Sequence, residues 1–170
     1  MTIRTAVLVV VALVLSGVYL SWTAGRLDRM HARVDAAWAG LDAQLARRAA
    51  AARAVAALVP GPEGARLAAA AQTSLDAGEQ EREAVENELS RALRAVLPLL
   101  PPDADLTELR SAASRVGLAR TIYGTAVTDT LALRRRRVPR LFRLAGHRAP
   151  PAYFEIDDTQ LLERVAGPGP

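Results

Sequence analysis

Residues 6–22 read AVLVVVALVLSGVYLSW, an unbroken apolar run with neither charge nor proline. As a helix rising about 1.5 Å per residue it extends roughly 26 Å, enough to cross the hydrocarbon core of a bilayer. Thr5 and Thr23 flank it, and their hydroxyls can bond back to helix carbonyls. Tyr19 and Trp22 stand at its C-terminal end, where amphipathic rings favour the interface. Arg4 and the α-amine precede the run, whereas Arg26, Arg29 and Arg33 follow it, so the positive-inside bias places the bulk of the chain in the cytoplasm. A cleaved secretory signal is the competing reading. Cleavage after Ala24 would put Trp22 at −3, where a small residue is required. The expectation is therefore a retained anchor over residues 1–24.

Beyond the anchor the composition favours helix. Ala, Leu, Arg, Glu and Gln dominate, and all are strong helix formers. Aromatics make up only 4%, so any core is aliphatic and alanine-rich. The absence of cysteine excludes disulfides, thiolate catalysis, iron–sulfur clusters and lipid attachment through Cys. All 22 basic residues are arginine, against 18 acids, for a net charge of +4. Seven of those arginines fall between 134 and 148, with no acid between Asp129 and Glu155. Subtracting these seven from +4 leaves the remainder at −3, so the basic character belongs to one segment.

From Leu27 onward, Leu27, Met30, Val34, Trp38, Leu41 and Leu45 recur at helical spacing. No Gly–Pro punctuation separates this stripe from the anchor, so one helix is expected to run on to Leu58, where Pro60-Gly61-Pro62 stops it. A second helix is expected over residues 62–97, loosened at Gly78 and ended by Pro98, Pro101 and Pro102. Asp105 or Thr107 can cap a third, which keeps the spacing through Leu109, Val116, Tyr123, Val127 and Leu131 to Arg137. Each stretch would be roughly 50 Å long, and short connections between equal helices imply antiparallel neighbours. The expected fold is all-α: a transmembrane helix over 1–24 continuing into an antiparallel bundle of three long helices over 25–137. The basic tail, 138–170, is less regular. Leu141, Phe142, Leu144, Tyr153 and Phe154 are expected to fold back on the bundle, with a short helix at 158–166.

The stretch Ala37-Trp38-x-x-Leu41-Asp42-x-Gln44-Leu45-x-Arg47-Arg48 resembles the signature of the LemA family of bacterial membrane proteins. Glu86-Asn87, Arg120-x-x-Tyr123 and Tyr153-Phe154-Glu155 extend the resemblance in order along most of the chain. The segment from Arg134 to Gly146 with the following YFEIDD looks most like actinobacterial members. Gly124 departs from the family's usual Asn after Tyr. The resemblance implies one N-terminal span, a long-helix bundle and an N-out, C-in topology. It implies no activity.

No catalytic motif accompanies these elements. Asp28-x-x-His31 is half of a helical metal site, but the other histidine, His147, lies in the tail, and a solvated pair beside the membrane is expected. Glu79, Glu81, Glu83, Glu86 and Glu88 alternate around a helix, so a solvated face is expected, offset by Arg82 and Arg91. Trp38 fits the core stripe, while Arg47 and Arg48 are placed to pair across to the acidic helix and set its register. There is no G-x-S-x-G, S-x-x-K or phosphate-cradling glycine loop. The chain reads as non-enzymatic, without cofactor or metal.

The remaining candidate is the cluster Arg134, Arg135, Arg136, Arg137, Arg140 and Arg143, with Arg148 beyond it. A three-helix count carries it roughly 50 Å from the bilayer, several times the Debye length of about 8 Å, which argues against anionic lipid as its partner. No aromatic interleaving or docking motif supports nucleic acid. What stays open is a docking patch for an acidic protein partner or a solvated helix C-terminus. The expected function is thus a membrane-anchored scaffold or interaction module in the bacterial inner membrane, contacting lipid through residues 6–22. The alternative is a binder of an acidic partner or nucleic acid through the arginines.

Overall fold

The structure, a computed structural model, describes residues 3–136 and 149–157. It is all-α: helices α1 (Ile3–Ala56), α2 (Pro62–Asp76), α3 (Arg82–Val96) and α4 (Thr107–Arg134), with a 3-10 turn at Leu97–Leu99. No strand occurs among the described residues. The expected continuity of anchor and first helix holds, since α1 is a single helix. Its apolar stretch is long and apolar enough to cross a membrane, with Leu8 and Leu13 each 68% exposed. Thr23 Oγ1 donates back to the Tyr19 carbonyl at 2.8 Å.

The middle stretch differs from the sequence reading. Residues 62–97 form two helices where one was expected. Ala77 is extended (φ −72, ψ 138) and ends α2 at Asp76, just before Gly78. The buried Arg82 opens α3 and donates from Nη1 to the Ser74 carbonyl. That carbonyl belongs to the last turn of α2, where helix acceptors lack an intrahelical donor. Glycine alone would only weaken the helix; the reversal is held by an arginine that satisfies its end. With this extra reversal, α4 runs antiparallel to α1, where three equal helices would have it parallel.

Contacts divide the chain into two compact units, Met1–Ala37 with Gly124–Ala152, and Trp38–Tyr123 with Tyr153–Pro170. In the first unit Thr23, Leu27, His31 and Val34 form a buried stripe on α1, and Ala126, Val127, Thr130 and Leu133 are buried on α4. Thr130 Oγ1 lies 2.8 Å from the Ala126 carbonyl and 3.5 Å from the Met30 carbonyl. Arg33 and Asp129 face one another at 3.7 Å on the exposed side.

The core of the second unit gathers Ala49, Ala52, Val55 and Ala56 of α1, Val59 of the following turn, Leu67 and Ala71 of α2, Leu89, Leu93 and Val96 of α3, and Leu109 of α4. Alanines Ala49, Ala52 and Ala56 of α1 and Ala71 of α2 are buried in it, so the core is alanine-rich as the composition implies. The α1–α2 turn depends on two glycines. Gly61 has φ 102, a conformation that L side chains avoid. A Cβ on Gly64 would lie 1.9 Å from the Val59 carbonyl oxygen and 2.9 Å from that of Ala56. At the start of α4 the Thr107 amide donates to Asp105 Oδ1 at 2.9 Å. Hydrogen bonds from the Thr107 side chain, then from its amide, hold the Asp105 carboxyl below its ordinary range.

Candidate functional site

The second unit buries a closed group of charged and polar side chains. Along α1 the inward stripe Leu41, Leu45 continues at helical spacing to Arg48 and Ala52, so one core position carries a guanidinium. Along α3 the stripe Leu89, Leu93, Val96 extends backward to Glu86 and Arg82. Arg48 and Glu86 are both 0% exposed, with Arg48 Nη2 2.6 Å from Glu86 Oε2. The other carboxylate oxygen, Oε1, accepts from Ser74 Oγ of α2 at 2.5 Å and lies 3.8 Å from Arg82 Nη1. Arg82 Nη2 pairs with Asp42 of α1 at 2.6 Å.

This arrangement overturns the solvated-face reading for one of the five glutamates. Glu86 points into the core, because α3 must place its apolar stripe inward and Glu86 shares that face. Both oxygens of Glu86 are engaged by donors, so the carboxylate joins α1, α2 and α3 and does not present a base to a substrate. Sequence reasoning anticipated Arg48 pairing across to the second helical stretch but missed Ser74 and Arg82. For Arg82 a signal lay in its spacing, four residues before Glu86 and seven before Leu89, on the inward side of α3; Ser74 carried none.

Beside this group lies an aromatic triad. Trp38 of α1 has its ring 5.5 Å from Tyr123 of α4 and 5.6 Å, edge-on, from Phe154. The segment carrying Phe154 is held by polar contacts to two helices. Arg120 donates to the Ile156 carbonyl at 2.9 Å, Arg94 to the Asp157 carbonyl at 2.9 Å, and the Asp157 amide to Asn87 Oδ1 at 2.9 Å. Phe154 and Ile156 are buried, whereas Tyr153 is exposed. Leu141, Phe142, Leu144 and the expected helix at 158–166 lie outside the described residues.

Of the arginine cluster, Arg134, Arg135 and Arg136 are described, and they belong to the first unit. Arg134 ends α4, and its Nη1 lies 3.2 Å from His31 Nε2. The other ring nitrogen, Nδ1, lies 2.9 Å from the Leu27 carbonyl, which can only accept. The imidazole therefore carries its proton on Nδ1 and turns its Nε2 lone pair to the guanidinium. His31 is buried and Asp28 is exposed, so they do not form the solvated pair expected beside the membrane. Among the described residues no three His, Asp or Glu side chains gather as metal ligands would.

Arg134's neighbour also corrects its expected position. His31 is nine residues beyond Trp22 on the same helix, about 14 Å along its axis, against the roughly 50 Å that three equal helices imply. The reason is the reversal between α2 and α3. Arg135 and Arg136 follow and are exposed, while Arg137, Arg140, Arg143 and Arg148 lie outside the described residues. No family model, no curated protein and no solved structure matches the chain.

Proposed function

We propose that this chain is a LemA-like, non-catalytic scaffold or interaction protein, anchored by residues 6–22 in the bacterial inner membrane with its bundle in the cytoplasm. The observation that carries the reading is α1 itself. One helix holds both an exposed apolar stretch and, farther along, an inward stripe whose only charged member is neutralised within the bundle. A chain that uses its buried polar groups to join helices commits them to structure and not to chemistry on a substrate. The LemA resemblance gains support from a convergence in the second unit. Trp38 meets Tyr123 and Phe154, Arg48 meets Glu86, Asn87 meets Asp157 and Arg120 meets Ile156. Segments far apart in sequence that carry the resemblance are thus one another's neighbours.

The test is fractionation and topology together. Full-length protein should stay in the membrane pellet through alkaline carbonate extraction, and a reporter fused after Pro170 should be active only in the cytoplasm. Release by carbonate, or a reporter active outside the cytoplasm, would overturn the anchored, inward-facing reading. Site-specific crosslinking from exposed Arg115 of α4 should then recover a discrete protein partner; recovery of lipid alone would remove the scaffold reading.

A further inference from the structure

We infer that the arginines closing α4 form a second membrane attachment, a surface for the phosphates of anionic lipid headgroups. This rests on the proposal that residues 6–22 span a bilayer. Three observations in the first unit carry it.

The first is distance. Arg134 sits beside His31, about 14 Å along α1 from Trp22, where the apolar run ends. The headgroup layer occupies about 5–8 Å beyond the hydrocarbon on each side. With α1 along the membrane normal, the Arg134 guanidinium is then roughly 6–9 Å from the headgroups, about one Debye length. Any tilt of α1 towards α4 shortens that gap.

The second is direction. On α4, Asp129 faces Arg33, and five residues later Arg134 faces His31. The helix thus descends towards the Trp22 end, and its exposed final arginines, Arg135 and Arg136, follow on that side. Each is still tied to the helix, through Arg135 N to the Leu131 carbonyl at 3.1 Å and Arg136 N to the Leu133 carbonyl at 3.2 Å.

The third is charge. In residues 23–37 and 124–136 the arginines are Arg26, Arg29, Arg33, Arg134, Arg135 and Arg136, and the acids are Asp28, Asp35 and Asp129. The excess is positive on a surface next to the apolar run, and Arg26 already packs over Trp22 with 5.8 Å between guanidinium carbon and ring centroid. A juxtamembrane basic patch of this kind favours an anionic bilayer over a neutral one, by roughly five-fold for each arginine near the surface. An acidic protein is the weaker fit, since reaching this surface would require it to lie against the headgroups.

The experiment uses the full chain reconstituted in bilayers of phosphatidylcholine with a minor fraction of spin-labelled phosphatidylglycerol or spin-labelled phosphatidylcholine. The wild-type protein should immobilise the anionic probe in preference to the neutral one. Replacing Arg135→Gln and Arg136→Gln together should reduce that preference several-fold, towards roughly 25-fold where both guanidiniums reach the headgroups. Arg135→Lys with Arg136→Lys should retain it, because the attraction is to charge and not to the guanidinium plane. Raising salt to 1 M, where the Debye length is about 3 Å, should weaken it. Equal immobilisation of both probes by the wild type, or a preference that survives the glutamine pair, overturns the inference. So does a steeply salt-dependent polynucleotide affinity that the glutamine pair abolishes while the lipid preference is unchanged. If the wild-type chain does not incorporate into bilayers at all, the anchor reading fails, and this inference fails with it by a different observation.

Discussion

The first and last thirds of α1 invert the usual distribution of side chains in opposite ways. Over residues 6–22, leucine and valine face outward on every side, with Leu8 and Leu13 each 68% exposed. Over residues 38–56 of the same helix an arginine faces inward and is 0% exposed. Both are costly in water and both become sensible once the surroundings are named. Apolar groups on all faces suit a lipid phase. A guanidinium in a core suits a carboxylate held at 2.6 Å with its remaining oxygen also engaged. The helix backbone is the same in both; the environment decides which side chains are tolerated where.

The comparison breaks most readily at its buried end. Glu86→Ala leaves Arg48 buried without its carboxylate and should cost about 3–5 kcal/mol, read by denaturant unfolding of the full chain in detergent micelles. Replacing both partners, Arg48→Met with Glu86→Leu, should recover most of that loss or exceed the parent stability. A double variant no better than the single one would show that this charge pair is not a replaceable unit. At the exposed end, Leu13→Arg should disfavour insertion by about 2.5–3.5 kcal/mol, seen as a larger fraction extracted by alkaline carbonate. Unchanged extraction would deny that this stretch sits in lipid.

Smaller effects sharpen where one regime gives way to the other. Trp38→Leu keeps an apolar group but removes two aromatic contacts, and should cost about 1–3 kcal/mol in the same unfolding experiment. Gly61→Ala forces a Cβ into a positive-φ extended conformation (φ 102, ψ −169) that is essentially restricted to glycine, and should cost about 1–3 kcal/mol. The smallest effect concerns Asp105, whose carboxyl is held below its ordinary value by the Thr107 hydrogen bonds. A depressed folded-state pKa means this contribution is present above the unfolded value and is lost as pH falls through the folded one. Thr107→Val should raise the titration midpoint of Asp105 followed by NMR; an unmoved midpoint would show that the side-chain hydrogen bond is not the cause.

The helices and their inward faces were largely legible, because periodicity of 3–4 residues records which side of a helix is buried. Leu41, Leu45, Leu89, Leu93, Leu109 and Val116 all sit in the core as their spacing requires. Arg48 was legible as a pairing residue. Glu86 was misread with its neighbours as solvated, since alternating glutamates carry no local mark of which one turns inward. Ser74 gave no signal, because its hydroxyl matters only once α3 folds back and Glu86 arrives 2.5 Å away.

The sequence by itself determined the apolar run, the all-helical character and the stop at Pro60-Gly61-Pro62. These rest on local chemistry: side-chain transfer preference, helix propensity and the fixed φ of proline. Only the tertiary structure decided that residues 62–97 reverse direction. Gly78 permits a break, but a guanidinium from α3 must reach the Ser74 carbonyl and the Asp42 carboxylate to hold it. That one reversal changes the direction of α4 and so brings Arg134 beside His31. Helix count is a parity, and parity cannot be read from periodicity when its deciding contact joins residues 82, 74 and 42.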